Sequence, residues 1–247
     1  MSKRDQFSNL NYEGYIIWSV LMTKYLVIAN WKMNLSCSEA NKWLDVFCNI
    51  YQPSVKYQVA IAPSFTEIEL VKSMLRNKNI IDVQVYAQDI SKFNPGAYTG
   101  EVGAVQLKDL GVSGVIIGHS ERREYFNETT NEINEKINQA ITNDLNVVVA
   151  TSSIEQVLAL TEHSKKFSLA FEPIEAIGTG KSENIKDVNT FLIKAKQILG
   201  DNITTMYGGS VDSKNIKNYL HSEFINGFIV GTASKDPVTF NNTLKAI

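Results

Sequence analysis

Four polar side chains stand where apolar, β-branched runs of this sequence end, which is where parallel-sheet enzymes carry their chemistry. Asn30 ends the run YLVIAN and Lys32 follows it, His119 ends GVIIGH, and Glu172 follows FSLAF. A carboxylate can accept a proton, an imidazole can donate one, and an ammonium can stabilise developing negative charge. If the runs are strands of one sheet, the four side chains share a rim and predict acid–base chemistry.

The neighbours of His119 and Glu172 favour this interpretation. His119 precedes Ser-Glu-Arg-Arg, which predicts a helix start, and the positive end of a helix dipole disfavours an imidazolium, so a neutral ring is predicted. Glu172 precedes an apolar, glycine-containing segment that could close as a lid over a base. A lone histidine is more often structural or solvated, which is how we interpret His163 and His221.

Two glycine-containing turns predict an anion site. Gly208-Gly209-Ser210 precedes a predicted helix starting at Val211, and Gly231-Thr232 follows the last apolar run. Backbone N–H groups in such turns can approach a phosphate closely, and helix starts favour negative charge. The alternative is that both are ordinary tight turns.

Composition narrows the function classes. The chain has 247 residues and a net charge of −2, which gives no electrostatic footprint for nucleic acid. Cys37 and Cys48 lie on one predicted helix, about 16 Å apart along its axis, which is too far for a disulfide. Two unpaired thiols indicate a reducing compartment such as the cytoplasm. The sequence has no Cys/His cluster of the kind that predicts a metal site. It also has no Gly-x-Ser-x-Gly motif, which would predict a serine hydrolase. The apolar run 15–22 is too short to span a bilayer.

Apolar runs alternate with helical patterns along the chain. Strands are predicted at 25–30, 57–62, 81–87, 114–119, 146–151, 167–171, 203–207 and 224–230. Caps mark helices: a capping box starts at Ser36, a periodic pattern covers 127–141, Ser182 begins a helix that Gly200 ends, and Asp236-Pro237 begins the last. Eight strands alternating with helices predict a closed parallel (β/α)₈ barrel over residues 24–247. Residues 1–23 are interpreted as an extension that is either dispensable or the result of a misassigned start before Met22. An open doubly wound sheet is the alternative, but no glycine follows the first strand.

Five motifs, in order, resemble the triosephosphate isomerase family from about Met22 to the end of the chain. They are ANWKMN (29–34), NPGAYTGEVG (94–103), IIGHSERR (116–123), EPIEAIGTGK (172–181) and YGGSV (207–211). The resemblance implies interconversion of dihydroxyacetone phosphate and glyceraldehyde 3-phosphate, in glycolysis or gluconeogenesis, without a cofactor or metal. A non-catalytic relative, or a phosphate-binding barrel of different specificity, is the alternative.

The resemblance also implies roles for individual residues. Glu172 would be the base, His119 the neutral electrophile, Lys32 and Asn30 the groups that hold substrate, and Glu121 the acid beside Lys32. The backbone N–H groups expected on the phosphate are those of Gly178, Ser210, Gly231 and Thr232.

Several positions depart from the family pattern. The lid has Glu175 where tryptophan is usual, Phe171 replaces tyrosine, and Ala150-Thr-Ser-Ser replaces Cys-x-Gly-Glu after the fifth strand. We interpret these three changes as a rebuilt lid latch. Thr232 replaces a glycine and adds a side chain near the phosphate.

The resemblance further implies assembly. The segment 94–103 would insert into a second copy, so that Thr99 approaches Asn30 and Lys32 of the partner subunit, which predicts a homodimer. The stretch 152–166 is short for the family and resembles that of members that assemble further, so a tetramer is the alternative.

Overall fold

The chain forms a closed barrel of eight parallel strands, in the order β1 to β8. The computed structural model describes residues 25–160, 166–173 and 183–247. Each strand pairs with the next in the chain, and β8 pairs with β1 through Leu26 and Gly227. This confirms the (β/α)₈ prediction over the open sheet. None of the described helices is long and apolar enough to cross a membrane.

The strands and helices alternate around the barrel. The strands are β1 Tyr25–Asn30, β2 Tyr57–Ala62, β3 Val83–Ala87, β4 Gly114–Ile117, β5 Asn146–Thr151, β6 Ser168–Phe171, β7 Thr204–Tyr207 and β8 Gly227–Val230. The helices in the described part are α1 Cys37–Ile50, α2 Ile68–Asn77, α3 Ala104–Asp109, α4 Ser120–Tyr125, α5 Thr130–Thr142, α6 Ile154–Leu158, α7 Ile185–Leu199 and α8 Pro237–Lys245. Short 3₁₀ turns cover Phe65–Glu67, Ile216–Asn218 and Thr232–Lys235.

Strand residues alternate between two apolar clusters, because successive side chains point to opposite faces of the sheet. The larger cluster lies between the strands and the helices and includes Val27, Phe47 and Leu192. The smaller one fills the barrel: Ile28, Ala60, Ala62, Tyr86, Ile116, Val148, Ala170, Met206 and Ile229. Burial on both faces explains why the strands appear in the sequence as nearly continuous apolar runs.

Some predicted boundaries are wrong. Five strands are shorter than predicted, and β8 starts three residues later, at Gly227. The helix predicted over 127–141 is α5, which starts at Thr130 because the side chain of Thr129 accepts from the Glu132 N–H. The N-cap of α7 is Asn184 rather than Ser182, which lies outside the described residues; Gly200 ends the helix as predicted, with φ 104°. The two cysteines are free thiols, and Cys37 is exposed.

A buried ion cluster ties the end of β3 to α4 and α5. The Lys136 ammonium donates to both carboxylate oxygens of Asp89, at 2.7 and 2.8 Å, and to Glu128. Arg122, on α4, donates to Glu128 at 3.1 Å and lies 3.0 Å from Asp89. Burial raises the pKa of Asp89, and the Lys136 ammonium opposes that effect. The cluster therefore fixes the helix that begins beside His119.

We predict that Lys136→Met destabilises the protein strongly. The substitution leaves two buried carboxylates without their main counter-charge, which costs on the order of 3–5 kcal/mol. The free energy of unfolding from urea titration measures the loss. Lys92→Met is the matched control, because Lys92 forms a partly exposed pair with Glu132 at 2.9 Å and its loss should matter much less. Equal losses for the two variants would contradict the role given to the cluster.

Candidate active site

Glu172 lies directly after β6 at the carboxyl-terminal mouth of the barrel and is 1% exposed. Its backbone N–H donates to Thr151 O at 2.8 Å, which continues the β5–β6 ladder by one residue. Its Oε2 accepts from the Ser120 N–H at 3.3 Å, whereas Oε1 has no hydrogen-bond partner among the described residues. A buried carboxylate with one open oxygen is suited to accept a proton from a ligand in the mouth.

His119 is the N-cap of α4 and points its ring at Glu172. The Glu121 N–H donates to His119 Nδ1 at 3.2 Å, so Nδ1 carries a lone pair and the ring proton belongs on Nε2. Nε2 lies 3.4 Å from Glu172 Oε1. Glu121 Oε2 also lies 3.6 Å from Nδ1, but the bond from the backbone already occupies the lone pair of that nitrogen. The ring is therefore neutral, with an N–H facing the mouth.

The turn that carries His119 is held by Arg123. Its Nε donates to Gly118 O at 3.0 Å, and its Nη2 donates to Ala150 O at 3.3 Å, which joins the ends of β4 and β5. Burial lowers the pKa of Arg123.

Lys32 supplies the cation of the site. Its Nζ lies 2.5 Å from Glu121 Oε1, and the side chains are 25% and 35% exposed. Asn30, at the end of β1, is 4% exposed, and its Oδ1 accepts from the Lys32 N–H at 3.1 Å. The four polar groups predicted at strand ends therefore line one cavity, together with Gly208, Ser210, Ile229, Gly231 and Thr232.

The backbone of Lys32 has φ 53°, a left-handed conformation that is uncommon for a lysine. Its carbonyl accepts from Gln88 Nε2 at 2.9 Å and from Ser64 Oγ at 3.2 Å. Gln88 also donates to Ala62 O at 2.9 Å, and so joins the ends of β2 and β1. Sequence reasoning missed both residues; their only signal is a polar side chain just beyond a strand.

The first glycine turn makes room for the carboxylate. A Cβ on Gly208 would lie 2.9 Å from Glu172 Cγ and 3.2 Å from its Oε1. The turn continues with Ser210 at φ 52°, whose carbonyl accepts from Asn215 Nδ2 at 2.7 Å.

The prediction of a helix that starts at Val211 is wrong. The chain forms only the 3₁₀ turn Ile216–Asn218, because the Asp212 side chain accepts from the N–H groups of residues 214 and 215.

The second turn faces Lys32. A Cβ on Gly231 would lie 3.4 Å from Lys32 Cε, and Thr232 is exposed at the start of a 3₁₀ turn. Ser234 Oγ donates to Gly231 O at 2.7 Å and lies 3.2 Å from Asn30 O, so this turn is tied to the end of β1.

Of the other predicted site residues, one lies outside the described part of the chain and one lies elsewhere on this chain. Gly178, like Glu175, lies outside the described residues. Thr99 lies on the exposed segment 94–101 and lines a different cavity, with Lys92, Tyr98 and Arg122.

Fold and site together define a class: a (β/α)₈-barrel enzyme whose mouth carries a carboxylate, a neutral imidazole and a lysine, the set needed for acid–base chemistry on a substrate that becomes anionic.

Comparison with known proteins identifies the family. The triosephosphate isomerase family model matches residues 25–247, so the chain belongs to that family. It is 38% identical over 242 residues to a triosephosphate isomerase of Mesomycoplasma hyopneumoniae, covering 90% of this chain and 98% of the relative. It is 37% identical over 248 residues to one of Thermodesulfovibrio yellowstonii, covering 91% and 100%. It is 34% identical over 241 residues to one of Mycoplasmopsis pulmonis, covering 89% and 96%.

We predict that Gly208→Ala lowers kcat by roughly tenfold or more while changing KM less. The new methyl group would displace the carboxylate of Glu172, and small misplacements of a reacting group are costly. Steady-state kinetics with glyceraldehyde 3-phosphate measures the effect, and the thermal midpoint shows whether the variant folds. A folded variant with wild-type kcat would contradict the tight contact.

Proposed function

We propose that this chain interconverts dihydroxyacetone phosphate and D-glyceraldehyde 3-phosphate through an enediol(ate), as an isomerase of glycolysis and gluconeogenesis. Membership of the family supports the activity. One observation carries the assignment of residues: the open, buried Oε1 of Glu172 lies 3.4 Å from the N–H of a neutral His119 ring. A substrate in the mouth would meet both groups at once.

In this proposal, Glu172 takes a proton from the carbon beside the carbonyl, and the C–H electron pair forms the enediolate double bond. His119 Nε2–H hydrogen-bonds to the two oxygens on which charge develops and mediates the transfer of the hydroxyl proton from one oxygen to the other, and Glu172 returns the carbon-bound proton to the neighbouring carbon, so that no atoms are gained or lost. A carboxylate base with a neutral imidazole electrophile is the established arrangement in triosephosphate isomerases, so we adopt it here and do not claim it as new.

Lys32 and Asn30 are assigned to substrate binding and to the stabilisation of enediolate charge. The Lys32 ammonium lines the same cavity as Glu172, and its contact with Glu121 fixes it there. We assign the phosphate to the backbone N–H groups of Ser210, Gly231 and Thr232, with Gly178. The reaction as proposed uses no cofactor or metal.

An active isomerase is favoured over a non-catalytic or altered phosphate-binding barrel. A protein that only bound phosphate would need neither a buried carboxylate nor a fixed imidazole tautomer at the cavity. We further propose that residues 24–247 act as a single domain, that residues 1–23 are not needed for activity, and that the enzyme works in the cytoplasm.

The assignment of the base is tested by Glu172→Asp. Shortening the side chain by one methylene withdraws the carboxylate by about 1 Å, so kcat should fall on the order of 100-fold or more, with little change in KM. A coupled assay with glyceraldehyde 3-phosphate measures both constants. A Glu172→Ala variant that keeps wild-type kcat would remove the assignment.

We also propose that the active form is at least a homodimer, with a tetramer as the alternative. Residues 94–101 are all exposed, and Met33, beside Lys32, is 95% exposed. A second copy that covered these groups would remove the apolar side chain of Met33 from water. Residue 99 of one copy would then approach the site of the other.

Sedimentation velocity tests the assembly. The wild type should sediment as two or more chains, and Thr99→Arg should dissociate it and lower kcat, because the new cation would face Lys32 of the partner subunit. A fully active monomeric wild type would overturn the proposal. Asp236→Asn, a substitution at the helix cap of α8, is a matched control that should leave assembly unchanged.

A further inference from the structure

Two buried tyrosines meet at Glu183, where the described chain resumes after the segment that follows Glu172. Tyr207 ends β7 and is 0% exposed; Tyr219 follows the 3₁₀ turn Ile216–Asn218 and is 1% exposed. Their rings stack with centroids 4.6 Å apart and planes 29° apart. Each therefore brings a hydroxyl into a place without bulk water.

Both hydroxyls bind the backbone of the same residue. The Glu183 N–H donates to Tyr207 Oη at 2.8 Å, and the Tyr219 hydroxyl donates to Glu183 O at 2.5 Å. Burial, and after it a hydrogen bond with Tyr219, raises the pKa of Tyr207, so the Tyr207 group stays a neutral hydroxyl. The two bonds hold the peptide groups on either side of Glu183.

The helix α7, which starts just after Glu183, does not need the two tyrosine hydroxyls for its N-terminal cap. The α7 helix is capped by Asn184, whose Oδ1 accepts from the Lys186 N–H at 2.9 Å. The same stretch of chain is already tied to α7 by Ser222 Oγ, which lies 2.6 Å from Asn189 Oδ1. The two tyrosine hydroxyls therefore have another role. They fix the backbone N–H and C=O of Glu183 against the end of β7.

A short path of contacts joins this clamp to the base. Gly209 packs so closely on Tyr207 that a Cβ there would overlap the tyrosine hydroxyl, and Gly208 packs in the same way on Glu172. The turn 208–209 thus lies between the clamp and the carboxylate. A shift of Tyr207 would press on the turn, and the turn would press on Glu172.

We propose that Tyr219 is a positioning residue for the isomerase reaction. Its hydroxyl holds the carbonyl of Glu183, its ring stacks on Tyr207, and the two contacts together fix the turn against which Glu172 packs. This inference rests on the proposed function, and it adds a residue outside the five motifs that suggested the family.

Tyr219→Phe tests the proposal, because it keeps the ring and removes only the hydroxyl. We expect kcat to fall about tenfold with KM changed less than about twofold, since a displaced base slows the chemistry more than it weakens binding. A poorly held intermediate also loses its phosphate: the C–O bond breaks, the electron pair leaves with the phosphate, and the remaining enol becomes methylglyoxal. The ratio of inorganic phosphate released to isomerisation should therefore rise several-fold.

Tyr25→Phe is the matched control. Tyr25 is also buried, at 4%, and its hydroxyl donates to Leu220 O at 2.5 Å, next to Tyr219 in the chain, but Tyr25 begins β1 and its ring packs on Phe228 rather than on the turn 208–209. The control should lower the thermal midpoint and leave kcat and the elimination ratio unchanged. If Tyr219→Phe lowers only the midpoint, as the control does, Tyr219 is a packing residue and the inference is wrong.

A double-mutant cycle gives a second test. Tyr207→Phe and Tyr219→Phe each remove a bond to the backbone of Glu183, so the double variant should lose little more kcat than the worse single variant. Additive losses would contradict the clamp. A wild type without isomerase activity would instead defeat the proposed function, which keeps the two failures distinct.

Discussion

The buried carboxylate of Glu172 is the group on which the geometry of this barrel mouth depends. Removing a carboxylate from water costs several kcal/mol unless the protein supplies compensating donors. Among the described residues, Glu172 receives one backbone N–H, from Ser120, and faces the His119 ring. That donor exists only because β4 ends where α4 begins, and the space exists only because residue 208 is glycine. One side chain therefore constrains the ends of three strands.

The neutral state of His119 follows from the same local geometry. The Glu121 N–H needs a lone pair on Nδ1, so the start of α4 selects the tautomer. A charged ring beside Glu172 would stabilise the carboxylate and make it a weaker base. The positive charge of the site is instead carried by Lys32, in the turn after β1, where Glu121 balances it. The site thus separates the group that donates a hydrogen bond from the group that supplies charge.

Local patterns predicted most of the fold, whereas contacts between distant segments were beyond them. The apolar runs predict all eight strands, and the residues His119-Ser-Glu predict the start of α4. Strand formation and helix capping both depend on residues that are close in the sequence. The choice of Asn184 over Ser182 as a cap could not be predicted, since both side chains can cap a helix. The sequence alone predicts a phosphate-binding role for the glycines at 208 and 209, but the structure shows that they also make room for Glu172 and Tyr207. That reason becomes visible only when β6 and β7 lie side by side.

The strained backbone of Lys32 links the site to the surface around it. A lysine at φ 53° costs on the order of 1 kcal/mol, and here Asn30, Ser64 and Gln88 hold it in that conformation. This conformation carries the ammonium to Glu121 and leaves the next side chain, Met33, 95% exposed. The cation of the proposed site and the exposed apolar group therefore come from one turn. A second copy that covered Met33 would also hold Lys32, so assembly and catalysis would share a single backbone conformation.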